Sequence, residues 1–185
     1  MENIKQQRIY GIVCGVIFIS FLISCSSRKN HSSLIEVSSS GCFGTCPVLD
    51  LKLKDNKIYY NLIFHNNNRG LFSYELKPFE KNKIDSLFNY VKLDSLKKEY
   101  ISSRVDMPTF NVFIKTKNNN KRVYFYADDA PKEFEDLIYY LIGLSKNDLT
   151  KLDTPFSIST RMGMEVIKIP PPPPPPIDNS DLKNN

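Results

Sequence analysis

Along the chain, apolar and polar residues alternate in short runs twice interrupted by a helical stripe. "VLDLKLK", Val48 to Lys54, puts Leu49, Leu51 and Leu53 on one face and Asp50, Lys52 and Lys54 on the other, the period of a half-buried strand. Asp55-Asn56 is a turn and "KIYYNLIF" returns as the partner strand of a hairpin. "SLIEVSSS" reads as an earlier strand and "LFSYEL" as a later one, after the turn "HNNNRG". Pro78 then opens a helix whose Ile84, Leu87, Phe88 and Val91 fall at i, i+3, i+4 and i+7. A second hairpin, "TFNVFIK" and "RVYFY", surrounds Asn118-Asn119-Asn120. Pro131 opens a second helix striped by Phe134, Leu137, Ile138, Leu141 and Ile142.

Two stretches, "NNNRGLFSYELKPFEKNKIDSLFNYV" and "NNNKRVYFYADDAPKEFEDLIYYLIGL", share the order turn, strand, proline, amphipathic helix. Duplication of a ββα unit and chance similarity both account for this. Either way the expected architecture is α+β, an antiparallel sheet of about six strands with two helices packed on one face. One register stays open. The more apolar face of the last strand turns Val123 and Phe125 inward, whereas the repeat sets Tyr124 opposite Phe72 and turns them outward. A slip of one residue exchanges the two.

The ends differ from this middle. Lys5 and Arg8 precede an almost wholly apolar run, Ile9 to Ile23. At about 15 residues it is short for a membrane span and fits the hydrophobic region of a signal peptide. "LISC", Leu22 to Cys25, resembles the bacterial lipobox, which implies cleavage before Cys25 and a lipid on that cysteine. The competing reading is an uncleaved anchor with a chance cysteine; the polar "SSRKNHSS" that follows suits a tether better than a continuing helix. Two or more acyl chains hold a protein stably on a membrane, at about 0.8 kcal/mol per buried methylene. After Asp153 the character changes again. "MEVIKI" is compatible with one more strand, and Pro170 to Pro176 form a polyproline II rod, read as a stiff spacer with an aromatic groove in a partner as the alternative. The expected organisation is a signal peptide over 1–24, a tether over 25–33, one domain over 34–153 and a tail over 154–185.

The composition of the 185 residues, 41% hydrophobic and 24% charged, is that of one globular domain with appendages. The net charge is +5, but Lys and Arg alternate with Asp and Glu. No block tracks a phosphate backbone, so no nucleic-acid partner is expected.

Of the four cysteines, Cys14 leaves with the signal peptide and Cys25 takes the lipid. Cys42 and Cys46 remain, in "GCFGTCPVLD". In an oxidising envelope such a pair is first read as a disulfide, and Gly41 and Gly44 supply backbone freedom for a tight ring. The ring is so small that it adds only about 2 kcal/mol. The alternative is copper or thiol-redox chemistry: C-x-x-x-C-P resembles copper chaperones of the cytochrome oxidase assembly type, and two soft thiolates suit Cu(I). Such a site would recruit Cys42, Cys46 and His65, the other histidine being His31 on the tether.

At "GCFGTCPVLDLKLKDNKIYY" the chain resembles an uncharacterised bacterial family, domain of unknown function 6438, whose members are often lipoproteins with a G-C-F-G-x-C-P motif. Gly41, Cys42, Phe43, Gly44, Cys46 and Pro47 match it. Leu49 stands where the family usually has an aromatic, a departure that touches packing. The resemblance spans about Leu34 to Leu144 and implies a domain, not an activity.

Catalytic patterns are sparse. His65 opens an Asn-rich turn and reads as solvated. Asp128-Asp129 precedes Pro131, where carboxylates suit the positive end of a helix. There is no P-loop, dinucleotide fingerprint or histidine-based zinc spacing, so neither enzyme activity nor a cofactor is expected. What remains is binding. Tyr59, Ile63 and Phe113, beside Asp50, Lys52 and Lys54, would lie on the sheet face away from the helices, unless an N- or C-terminal segment occupies it. The expectation is a lipoprotein of the bacterial envelope, on the periplasmic side of the outer membrane, that binds or assembles with an envelope protein or peptide.

Overall fold

The computed structural model describes residues 34–161. The signal segment, Cys25 and its tether, "MEVIKI" and the proline run lie outside the described residues.

The alternating runs form the expected hairpins. In chain order the strands are β1 (Leu34–Ser39), β2 (Val48–Lys54), β3 (Lys57–Phe64), β4 (Gly70–Glu75), β5 (Glu99–Tyr100), β6 (Thr109–Lys115), β7 (Asn120–Tyr126) and β8 (Thr150–Lys151). Helix α1 (Pro78–Tyr90) follows β4 and helix α2 (Lys132–Gly143) follows β7. The sheet order is β5-β7-β6-β1-β2-β3-β4-β8. Eight strands therefore replace the expected six, and the sheet is not wholly antiparallel, because β5 runs parallel to β7. The two additions, β5 and β8, are two-residue edge strands. They pair only where neighbouring chain docks beside β7 and β4, so no periodicity announces them.

One face of the sheet and the apolar stripes of both helices make the core. Ile35, Val37, Leu49, Leu51, Ile58, Tyr60, Leu62, Val112, Ile114, Val123 and Phe125 from the sheet are buried with Ile84, Phe88, Phe134, Leu137, Ile138 and Leu141 from the helices. Phe125 lies 5.5 Å from Phe134 between ring centroids. The Tyr60 hydroxyl donates to the Leu141 carbonyl at 2.7 Å. Each helix start is closed by a buried carboxylate one turn in. Glu80 accepts from the Lys77 amide at 2.8 Å and from Tyr74 Oη at 2.8 Å, and Glu135 accepts from the Ala130 amide at 3.1 Å.

The open register resolves toward the apolar face. Val123 and Phe125 are buried, while Tyr124 and Tyr126 sit partly exposed on the other side. Phe72 pairs directly with Tyr60 and so faces the helices. The repeat, aligned by its core-facing residues, takes Phe72 to Phe125, Ile84 to Leu137 and Phe88 to Leu141, one common spacing in the sequence. The alignment of Phe72 with Tyr124 is one residue out.

Candidate functional site

The sheet face away from the helices carries two rows of side chains, set by the strand registers. One runs Tyr124, Asn111, Ser38, Asp50, Asn61 and the other Arg122, Phe113, Glu36, Lys52, Tyr59. These rows were expected to be open unless an N- or C-terminal segment occupied them, and the second case holds: residues 155–161, within the expected tail, cross them. Lys52 Nζ donates to the Ser157 carbonyl at 2.9 Å. Glu36 Oε2 accepts from the Ser159 amide at 2.8 Å and from Ser159 Oγ at 2.6 Å. Thr160, with no exposed surface, has its hydroxyl 2.7 Å from that of Ser38, and its carbonyl accepts from Asn111 Nδ2 at 2.7 Å. Arg161 Nη2 lies 2.6 Å from Asp50 Oδ1 and donates to the Leu49 carbonyl at 3.1 Å.

This strap explains why Glu36, Ser38 and Asp50 are buried on a face whose pattern reads as solvated. A buried carboxylate needs partners. Asp50 has Ser38 Oγ at 2.6 Å, Asn61 Nδ2 at 3.1 Å and Arg161 Nε at 2.8 Å. Glu36 also has Lys52 Nζ at 3.2 Å. Burial alone would push the Glu36 carboxyl up; the Ser159 hydrogen bonds and Lys52 outweigh it and hold it below the usual glutamate value.

Of the three residues expected on a free binding face, Tyr59 packs on Phe156 with ring centroids 5.7 Å apart, and Phe113 lies under the Arg122 guanidinium at 5.2 Å. Ile63 sits at the irregularity where Val48 pairs with Phe64 but Leu49 with Leu62. The structure thus places Tyr59 and Phe113 beside the strap rather than on open surface.

The cysteine loop is held at both stems. Ser39 Oγ donates to the Pro47 carbonyl at 2.8 Å and accepts from the Leu49 amide at 3.0 Å. The Ser40 amide donates to the Thr109 carbonyl at 2.9 Å, and the Thr109 amide to Ser40 Oγ at 2.9 Å. Between these stems the Cys42 and Cys46 sulfurs lie at disulfide-bonding distance, with Cα atoms 5.6 Å apart. Gly41 and Gly44, expected to lend the ring backbone freedom, do not adopt left-handed torsions. A Cβ on either would meet its nearest neighbour at ordinary contact distance, 3.5 and 3.7 Å. Neither space nor torsion therefore demands glycine at these two positions. Phe43, inside the ring, is 93% exposed.

Strand directions gather further apolar surface at this end. The loop after β3, the chain after β5 and the chain before β6 all open here, because Val48 pairs with Phe64, Ser39 with Phe110 and Tyr100 with Phe125. Phe64, Ile101 (60% exposed) and Val105 (80% exposed) stand on those segments. Arg104 ties the 101–108 segment to the start of α2 by donating to the Ala127 carbonyl at 3.1 Å and pairing with Asp129. Asp129 is thereby engaged by Arg104 rather than by the helix amides it was expected to cap. Hydrogen bonds from Ser102 and then Arg104 hold its carboxyl below the ordinary aspartate value.

His65 lies in the turn after β3 with a left-handed φ of 54°. Among the described residues, no group of three or more His, Cys, Asp or Glu side chains is arranged to hold a metal ion, so His65 is not brought together with the two cysteines as a ligand set. Among the same residues no helix is long and apolar enough to cross a membrane. Sequence reasoning missed Glu36, Ser38, Thr160 and Arg161. The one available signal was two polar positions, Glu36 and Ser38, alternating with Ile35 and Val37 in a strand that proves central.

No curated protein matches the chain significantly. Residues 33–145 of the 185 match the family described as a domain of unknown function, DUF6438. The match takes in the cysteine loop, strands β1 to β7 and both helices, and the chain belongs to that family.

Proposed function

We propose that the protein is a lipoprotein of the bacterial envelope, anchored through Cys25, whose domain binds or assembles with an envelope protein or peptide and performs no catalysis. The observation that carries the binding half of this reading is Phe43. A large apolar side chain 93% exposed on a loop fixed at both stems is a preformed aromatic anchor for a pocket in a partner. Phe64, Ile101 and Val105 extend the same end of the sheet. The sheet face carrying Tyr59 and Phe113 is largely taken by the chain's own strap. Cys42 and Cys46, paired as a disulfide, would limit the shapes available to the loop and so reduce the ordering cost of binding.

The anchor is tested by Cys25→Ala in the native host. An unprocessed precursor is expected, and normal maturation would remove the anchor from the reading. Binding is tested by placing a photo-crosslinking residue at Phe43, with a second at exposed Asn89 on α1 as control. A discrete crosslinked species at 43 and none at 89 is expected. Equal labelling at the two positions would refute a specific surface.

A further inference from the structure

The two ends of the sheet differ in chemistry. Opposite the cysteine loop lie the β2–β3 turn, the β6–β7 hairpin and the chain entering α1. Register brings these together: Leu34 pairs with Lys115, Lys54 with Lys57, Lys57 with Glu75 and Lys115 with Asn120, and the Leu76 amide donates to the Asn56 carbonyl at 2.8 Å. Lys54, Lys57, Lys77, Lys115, Lys117 and Lys121 stand at this end. Asp55, Glu75, Asp94 and, by the β4–β8 register, Asp148 are carboxylates at this end. Glu75 is already paired with Lys57 at 3.0 Å, and Asp94 accepts from Asn119. Lys54, Lys77, Lys115 and Lys117 are exposed, with Lys57 and Lys121 partly so.

Leu34, the first described residue, enters the domain at this same end. Eight residues separate it from Cys25, and two of them, Arg28 and Lys29, are basic. Fully extended, that connection reaches at most about 30 Å. An anchor at Cys25 therefore confines the lysine-bearing end to about 30 Å or less from its lipid, from where it can come within the one Debye length, about 8 Å in physiological salt, over which the bilayer's charge acts. We infer that this end docks on an anionic phospholipid surface, which turns Phe43 and the apolar end outward, away from the membrane. The inference rests on the anchor reading for its geometry and on charge complementarity for its occupant. Each lysine brought to an anionic surface favours the docked state by about fivefold.

The test is hydrogen exchange on the full mature chain, isolated from the envelope and reconstituted into vesicles. One set is phosphatidylcholine alone; the other also contains phosphatidylglycerol. Amides over residues 54–57 and 115–121 are expected to exchange more slowly in the anionic vesicles only. Raised salt should abolish the difference, as should Lys54→Glu/Lys115→Glu/Lys117→Glu in a chain whose thermal midpoint is retained. Equal exchange in both lipids overturns the proposal, and so does protection over 41–47 and 101–106 instead. Protection by soluble polyglutamate but not by the anionic vesicles overturns it in favour of an acidic polypeptide. Intact mass reports the acyl chains separately, so a chain without them that still shows lipid-dependent protection would remove the anchor and leave the docking surface standing.

Discussion

Arg161 and Asp50 lie far apart in the chain, yet Nη2 and Nε of the guanidinium meet the same carboxylate oxygen at 2.6 and 2.8 Å. The pair closes a strap over a strand that would otherwise present a buried carboxylate to water. The strap is the part of the C-terminal region that the structure describes, and the proline run lies outside the described residues.

Truncation should tell the two segments apart. Deleting Pro170 to Asn185 is expected to leave the thermal midpoint within a few degrees. Deleting from Thr154 onward should lower stability by roughly 2–5 kcal/mol, the summed net worth of the strap's hydrogen bonds at about 1 kcal/mol each, since the carboxylates it covers return to water. Arg161→Ala, with its side chain partly exposed, should cost about 1–3 kcal/mol. Equal midpoints for the two truncations would show that the strap contributes nothing.

Acid should weaken the strap through Glu36. Its carboxyl titrates below the unfolded value, near 4.3, so its contribution is fully present above that value and is lost as pH falls through the lower folded one. Wild-type stability is expected to decline over this acidic range more steeply than that of Glu36→Gln. Parallel denaturation curves for the two proteins from pH 6 to pH 3 would contradict the assignment.

Reduction of the Cys42–Cys46 pair should be mild. The ring is small, and the stems are held independently by Ser39 and Ser40. A loss of about 2 kcal/mol or less is expected, with faster exchange confined to residues 41–47. Intact mass after alkylation of the envelope protein should show no free thiol at either position. Two alkylated thiols together with stoichiometric Cu(I) binding lost in Cys42→Ser would promote the copper reading.

Phe43→Ser should separate binding from folding. Because the side chain is almost wholly exposed, stability should change by less than about 0.5 kcal/mol, while crosslinking from a neighbouring position such as Thr45 should fall. A large loss of stability would mean that Phe43 packs within the domain.

Much of the fold followed from periodicity. Leu49, Leu51 and Leu53 had one available partner surface, and the stripe from Ile84 to Val91 had to face it, because local alternation and helical spacing determine which side of an element is apolar. The cysteine loop, too, was visible in its motif. Tertiary structure decided what no local pattern contains. It chose the register that buries Val123 and Phe125, where Phe125 packs against Phe110 and Phe134, over the one-residue slip that the repeat had suggested. It added β5 and β8, too short for any period to register. It covered Asp50 and Glu36, whose alternation with leucine, isoleucine and valine reads as solvated until Ser159, Thr160 and Arg161 arrive from more than a hundred residues away. A polar row is compatible with water or with a polar partner, and the chain's own geometry settles which one it meets.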